Sequence, residues 1–282
     1  TLEARGVRFR DADMTMGHLD FRVEKGDLRV DRLDASYGAT RLAGDLDIVA
    51  RGGGAAPDVS FQFLVQQFDI GRFLKEIRVE TDVSGTIDVA SSLKSIGSTP
   101  RELMAGMNGT IGAVFGKGVY PKGLDLIAED LSRRVIPFWG DFKTHAGRLN
   151  CGVMTFAVRD GIATAEAFLF DTERSLLTGT GEIDLTSRKI DFLLSPKPKD
   201  PSLFSMATKL RVSGSVADPK VRPDTLSTAI KGAKALSFFA LGPAGLLAPF
   251  VDLGALQRHA CDVEGLQKSL GEVYQPQNGA ER

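Results

Sequence analysis

The side chains able to do chemistry are few and scattered. Three histidines, His18, His145 and His259, lie far apart with no HExxH or HxH spacing and no neighbouring carboxylate set, so they offer no metal site. A serine hydrolase would show a GxSxG elbow, and a nucleotide enzyme a phosphate loop or dinucleotide fingerprint; the sequence contains none of these. Gly112 to Gly118 (GAVFGKG) is glycine-rich but lacks the Lys-Ser/Thr ending and precedes no suitable helix. Serines and aspartates fall mainly at turns and caps. The expectation is a protein that is not an enzyme, with no catalytic residues, no metal and no cofactor.

The two cysteines, Cys151 and Cys261, match no CxxC or zinc pattern. Either both are buried thiols, or they form a disulfide tying the C-terminal segment to the rest, which needs an oxidising compartment such as the periplasm. Cys261 follows a long apolar segment that must dock somewhere, which motivates the second reading. A loop of that length would stabilise the fold by roughly 4 kcal/mol in the chain-entropy account.

The elements that position these residues read as strands. Gly147 to Pro196 forms four alternating runs, and Asp160-Gly161 suits the two positive-φ positions of a hairpin turn. With Arg159 opposite Ile162, one face collects Met154, Phe156 and Val158 against Ala163, Ala165, Ala167 and Leu169. The next strands add Leu177, Gly179, Gly181, Ile183 and Leu185, then Ile190, Phe192 and Leu194, while Thr178, Thr180, Glu182 and Asp184 turn outward. A one-sided antiparallel sheet follows, and its greasy side needs a cover.

Elsewhere Val7 to Ala50, Val59 to Val65, Val83 to Leu93, Gly109 to Val119 and Lys209 to Val216 alternate as strands. Arg51 to Pro57 is a hairpin tip. Short helices are expected after Asp69, as an N-cap, and from Pro100 to about Ala105 behind Ser98-Thr99. An amphipathic helix is expected near 123-136, stopped by Pro137. Asp218-Pro219 and Arg222-Pro223-Asp224 follow the Lys209 to Val216 strand, and a helix with Leu226, Ile230 and Ala233 on one side is expected after them. Glycine recurs at the centre of one strand type, at Gly44, Gly85, Gly109, Gly181 and Gly214. Either this lets the sheet curl strongly, or glycine is merely common at 31 residues. Ala235 to Val251 is uncharged but interrupted by Pro243 and Pro249. It reads as a buried helical hairpin or as a membrane or lipid contact through Phe238, Phe239, Leu246, Leu247 and Phe250.

At 282 residues, 43% apolar and 25% charged, the chain is an ordered globular protein of one large or two modest domains. Its net charge of -1 supplies no positive field for nucleic acid or an anionic bilayer. Seventeen Phe against one Trp and three Tyr favour a dry apolar interior over base or sugar stacking. The opening TLEARGVRFR has no initiator Met, basic n-region or apolar h-region, so the expectation is a portion of a longer protein with any anchor upstream.

The ordered set N-C-(x)4-F-x-V-x-D-G at Asn150 to Gly161, F-D-T at Phe170 to Thr172, G-x-G-x-I-D-L at Gly179 to Leu185, P-K-P-K at Pro196 to Lys199 and V-S-G-S-V-x-D-P at Val212 to Pro219 resembles the C-terminal region of AsmA-family proteins. The Pro-interrupted apolar segment before Cys261 completes it. The likeness is best from Gly106 to about Cys261. It implies a periplasmic protein anchored to the inner membrane through an N-terminal helix that this chain lacks, related to TamB-like bridge-like lipid carriers. Those relatives move phospholipid along a curled β-sheet trough, in the service of outer-membrane biogenesis.

The expected fold is thus mainly β with a few short helices: a strongly curled, largely antiparallel sheet forming an open trough or incomplete barrel with an apolar inner face. Its expected parts are 1-105, upstream trough strands; 106-222, the AsmA-like sheet; 223-270, a helical apolar cap; and 271-282, a disordered tail. The expected ligand is phospholipid or another acyl-chain lipid, held on Met154, Phe156, Val158, Leu169, Leu177, Ile183, Leu185, Ile190, Phe192 and Leu194. Outer-membrane or envelope proteins are further expected partners, and nucleic acid is not. The rival expectation is a scaffold or chaperone-like factor for outer-membrane protein assembly.

Overall fold

The computed structural model describes residues 7–9, 12–79, 83–120, 147–173, 175–199 and 209–224. The expected helix near 123-136, the 223-270 cap beyond residue 224, the 271-282 tail, His145 and His259 lie outside them.

Alternating side chains and glycine punctuation make the first five strands, β1 (Val7–Phe9), β2 (Ala12–Glu24), β3 (Asp27–Tyr37), β4 (Thr40–Val49) and β5 (Asp58–Asp69). Lys25 and Gly26 between β2 and β3 take φ of 52° and 93°, the pair of positive angles that matches hairpin twist. Arg51 to Pro57 joins β4 to β5, with one 3-10 turn at Gly52–Gly54. Helix α1 (Ile70–Glu76) follows, and the Asp69 carboxylate accepts from the Arg72 backbone N–H at 2.9 Å as its cap.

Beyond β6 (Thr86–Ile96), α2 (Pro100–Ala105) starts with a reciprocal cap. The Glu102 N–H donates to the Thr99 hydroxyl at 3.2 Å, and the Ser98 N–H donates to the Glu102 carboxylate at 2.8 Å. The two helices sit at opposite ends of β6, because α1 precedes its start and α2 follows its finish. Strands β7 (Asn108–Phe115) and β8 (Gly118–Tyr120) both pair with β9 (Gly147–Arg159). Then come β10 (Ile162–Thr172), β11 (Ser175–Asp184), β12 (Lys189–Pro198), β13 (Leu210–Ser215) and β14 (Asp218–Pro223).

All pairings are antiparallel, and the strands follow chain order across one 14-stranded sheet, with β8 off the main path. The chain is mainly β, with a large antiparallel sheet and few helices among the described residues. Among the described residues β1 and β14 end opposite edges, so the sheet they form is open. It continues without a break across 105/106, where β6 pairs with β7.

Asp218-Pro219 and Arg222-Pro223, to which the sequence assigns no element, are part of β14, an edge strand, where a missing N–H is tolerated. One local expectation gives way. The β9–β10 hairpin opens as its turn dictates, with Arg159 opposite Ile162 and φ of 46° and 75° at Asp160 and Gly161. Val158 then faces Ala163 and Phe156 faces Ala165, but a bulge at Glu166 shifts the register. Met154 meets Phe168 instead of Ala167, and Leu169 moves opposite Val153 on the other face.

The compact centre of the apolar face lies near α2, where Leu93, Met107, Val158 and Ala163 are buried. Phe61, Ile111, Phe156, Ile183 and Leu185 pack against them.

Candidate functional site

One apolar face runs across the sheet. Cα partners lead from Phe21 on β2 through Val30, Leu46, Phe61 and Leu93 to Gly109 on β7. The same row continues through Val158, Ala163, Ile183, Ile190 and Gly214 to Pro219 on β14. At about 4.8 Å between neighbours, this strip is roughly 50 Å long, and each of its positions is apolar or glycine. The adjacent row passes from Leu19 through Leu33, Gly44, Phe63, Ser91 and Ile111 to Phe156. Ser91 is its single hydroxyl, and the buried Oγ has no hydrogen-bond partner.

The opposite face is polar along most strands. Arg29, Asp47, Ser60 and Lys94 line one of its rows, and Thr178, Thr180 and Glu182 point the same way on β11. Asp45 also lies there, with a buried Oδ1 that has no partner; burial, then the charge of Asp47, raises its pKa to about 6. A second apolar patch interrupts this face, formed by the buried Ala90, Val114, Cys151, Val153 and Leu169. Cys151 is disulfide-bonded. The other cysteine of the sequence, Cys261, lies outside the described residues.

At the α1 end, Tyr37 of the apolar face anchors the helix. Its hydroxyl donates to the Glu76 carboxylate, and the Arg72 guanidinium carbon stands 5.0 Å over its ring. Phe73 of α1 packs on Phe68 at 5.3 Å and on Tyr37 at 6.2 Å between ring centroids. Burial and the bond to Glu76 push the Tyr37 hydroxyl up to about 12.

Met154, Phe156, Val158, Leu177, Ile183, Ile190, Phe192 and Leu194 share the apolar face by register. Leu185, just past β11, donates its N–H to the Gly161 carbonyl at 2.9 Å and packs on the α2-end core. Leu169 is the exception. It is 4% exposed and belongs to the patch on the other face, so its expected place on the lining is corrected. Phe238, Phe239, Leu246, Leu247 and Phe250 lie outside the described residues.

Phe168 and Phe170 take the places that Ala167 and Leu169 were expected to hold. Strict alternation from Thr164 and Glu166 would point both phenyls outward, and two outward phenyls were the available sign of a bulge. A chain of rings results. Phe115 meets Phe170 at 5.2 Å, Phe170 meets Phe168 at 5.1 Å, Phe168 meets Phe192 at 5.6 Å, and Phe192 meets Phe156 at 6.0 Å. On the expected upstream trough strands the lining falls to Phe21, Val30, Leu46, Phe61 and Phe63 of β2–β5, which the sequence reading does not name.

The described residues form an extended apolar surface. No set of three or more His, Cys, Asp or Glu among the described residues is placed to hold a metal ion. No helix among them is long and apolar enough to cross a membrane.

The chain is similar to the AsmA family protein YhjG of Escherichia coli (strain K12), with 22% identity over 153 residues. The match covers 52% of this chain and 22% of that protein's length. No family model matches the chain, and no solved structure does. The similarity supports a relation to the AsmA family.

Proposed function

We propose that this chain is part of a periplasmic, inner-membrane-anchored lipid-handling protein of the AsmA type. Its apolar face holds the acyl chains of phospholipid in transit between the inner and outer membranes. The observation that carries the reading is the uncharged row from Phe21 to Pro219, far longer than α1 and α2, the α-helices among the described residues, can cover. Acyl chains need continuous, non-directional burial worth about 0.8 kcal/mol per methylene. A row of equivalent positions provides this without a single deep trap. The protein is not an enzyme in this reading, and it needs no cofactor.

The sheet curls around this face into an open trough. Glycines support the curl: Gly44, Gly109, Gly181 and Gly214 share the apolar face, and the last three take φ of 139°, 155° and 106°. Contact between Phe156 of β9 and Phe192 of β12 supports it too, since two strands lie between them.

Native mass spectrometry and lipid extraction of gently purified protein test the reading. Co-purifying phospholipid is expected, and lipid-free protein that also fails to take up phospholipid from vesicles rejects it. The ring chain on β7–β12 favours a second reading, in which the face is an ordinary core of a scaffold for outer-membrane assembly. Leu46→Glu, Leu177→Glu and Phe192→Glu separate the two. A folded variant that has lost lipid supports the trough, whereas unfolding in all three supports the core.

A further inference from the structure

We propose that Phe115, Phe156, Phe168, Phe170 and Phe192 form a built-in aromatic stop. Bound acyl chains then lie over the β2–β6 part of the apolar face and do not pass β11. The inference rests on the lipid-handling reading and adds where the occupied path ends.

The stop is assembled over a pair of glycines. Gly179 and Gly181 give β11 no side chains at the middle of the face, and their partners on β12 are Leu194 and Phe192. Rings from both sides fill the space. A Cβ on Gly179 would come within 2.8 Å of the Phe168 ring and 2.9 Å of Leu194, and one on Gly181 within 2.9 Å of the Phe192 ring. Phe156 reaches in from β9 to touch Phe192. Gly152 plays the same part beneath Phe170, whose ring would lie 2.6 Å from an added Cβ. Centroid separations of 5.1 to 6.0 Å put each ring in contact with the next, which leaves no methylene-wide gap between them.

Exposure runs the same way. Phe192, which meets both Phe168 and Phe156, is 3% exposed and the other four rings are half-buried, whereas Phe21 and Val23 on β2 are 40% and 65% exposed. On β5, Phe61 and Phe63 stack on each other, 6.4 Å apart along one strand, and among the described residues they bridge to no other ring. The face is therefore open at one side and filled by its own rings at the other.

Photo-crosslinking tests this on the full chain. p-Benzoylphenylalanine is placed at Phe21, Phe61, Ile190 or Leu194, and the protein is loaded from phosphatidylethanolamine–phosphatidylglycerol vesicles carrying a tail-labelled phospholipid. Label is expected at Phe21 and Phe61 at least tenfold above that at Ile190 and Leu194. In Phe168→Leu or Phe192→Leu backgrounds, which stay apolar but remove the ring, label should extend to Leu194. Equal labelling at all four positions overturns the stop but leaves the trough. Labelling confined to β2–β5 and unchanged by either leucine variant overturns the rings as its cause. No label anywhere rejects the lipid-handling reading itself.

Discussion

Gly181 and Gly179 sit two residues apart on one strand and serve different ends. Gly181 holds φ at 155°, and an added Cβ would overlap the Asp191 carbonyl oxygen of the next strand, so no side-chain rotation relieves it. At Gly179 the obstacles are the Phe168 ring and the end of Leu194, which can move. Gly181→Ala should therefore cost about 2 to 4 kcal/mol and Gly179→Ala about 1 kcal/mol, read from urea midpoints. Equal losses would mean that both act through the rings. Asp45 gives a pH-dependent case. Its folded pKa, about 6, stands above the ordinary 3.8, so folding favours the protonated acid. Its contribution is complete below about pH 4 and is lost as pH rises through about 6. Asp45→Asn should consequently melt above the parent at pH 7.5, with the gap closing towards pH 4; a gap independent of pH would place the effect outside this carboxyl.

Among elements, the sequence was most readable where a turn sets the register. Asp160-Gly161 aligned Val158 with Ala163 and Phe156 with Ala165, and the caps at Asp69 and Thr99 located α1 and α2. Legibility failed at Glu166, because a bulge leaves the alternation before and after it intact while exchanging the faces of all that follows. Leu169 was misplaced, and Phe168 and Phe170 were missed, for that one reason. The β14 segment carries no element in the sequence reading, because its two prolines argue against a strand unless it is known to be an edge. The lining on β2–β5 was legible as alternation, but its continuity with β9–β12 was not, since it depends on pairings between distant strands. Cys151 on the second buried patch carries an element-level prediction. Thiol labelling of unreduced, denatured protein should find no reactive cysteine, and reduction should lower stability by roughly 4 kcal/mol. Two labelled thiols would remove the covalent tie.

For the molecule as a whole, an open sheet must keep its edge from pairing with other sheets. On β14, Pro219 and Pro223 have no N–H to donate, and Lys220 and Arg222 are exposed between and beside them on the polar face. Arg222 stands opposite Arg211, which is already paired with Asp191, so a strand added there would bring its charges against an arginine-rich border. These features make β14 a poor template, whereas a regular strand in its place would offer a full ladder of donors and acceptors. The combined change Pro219→Thr, Lys220→Thr and Arg222→Thr should leave Val212 and Val221 paired on the apolar face and the fold intact by circular dichroism. It should also make the protein associate with rising concentration, seen as growing mass in light scattering, while the parent mass stays constant. The association should persist at high salt, because it rests on backbone pairing and not on the lost charges alone. If the triple variant keeps the parent's mass at every concentration, the prolines and charges of β14 are not what guards this edge.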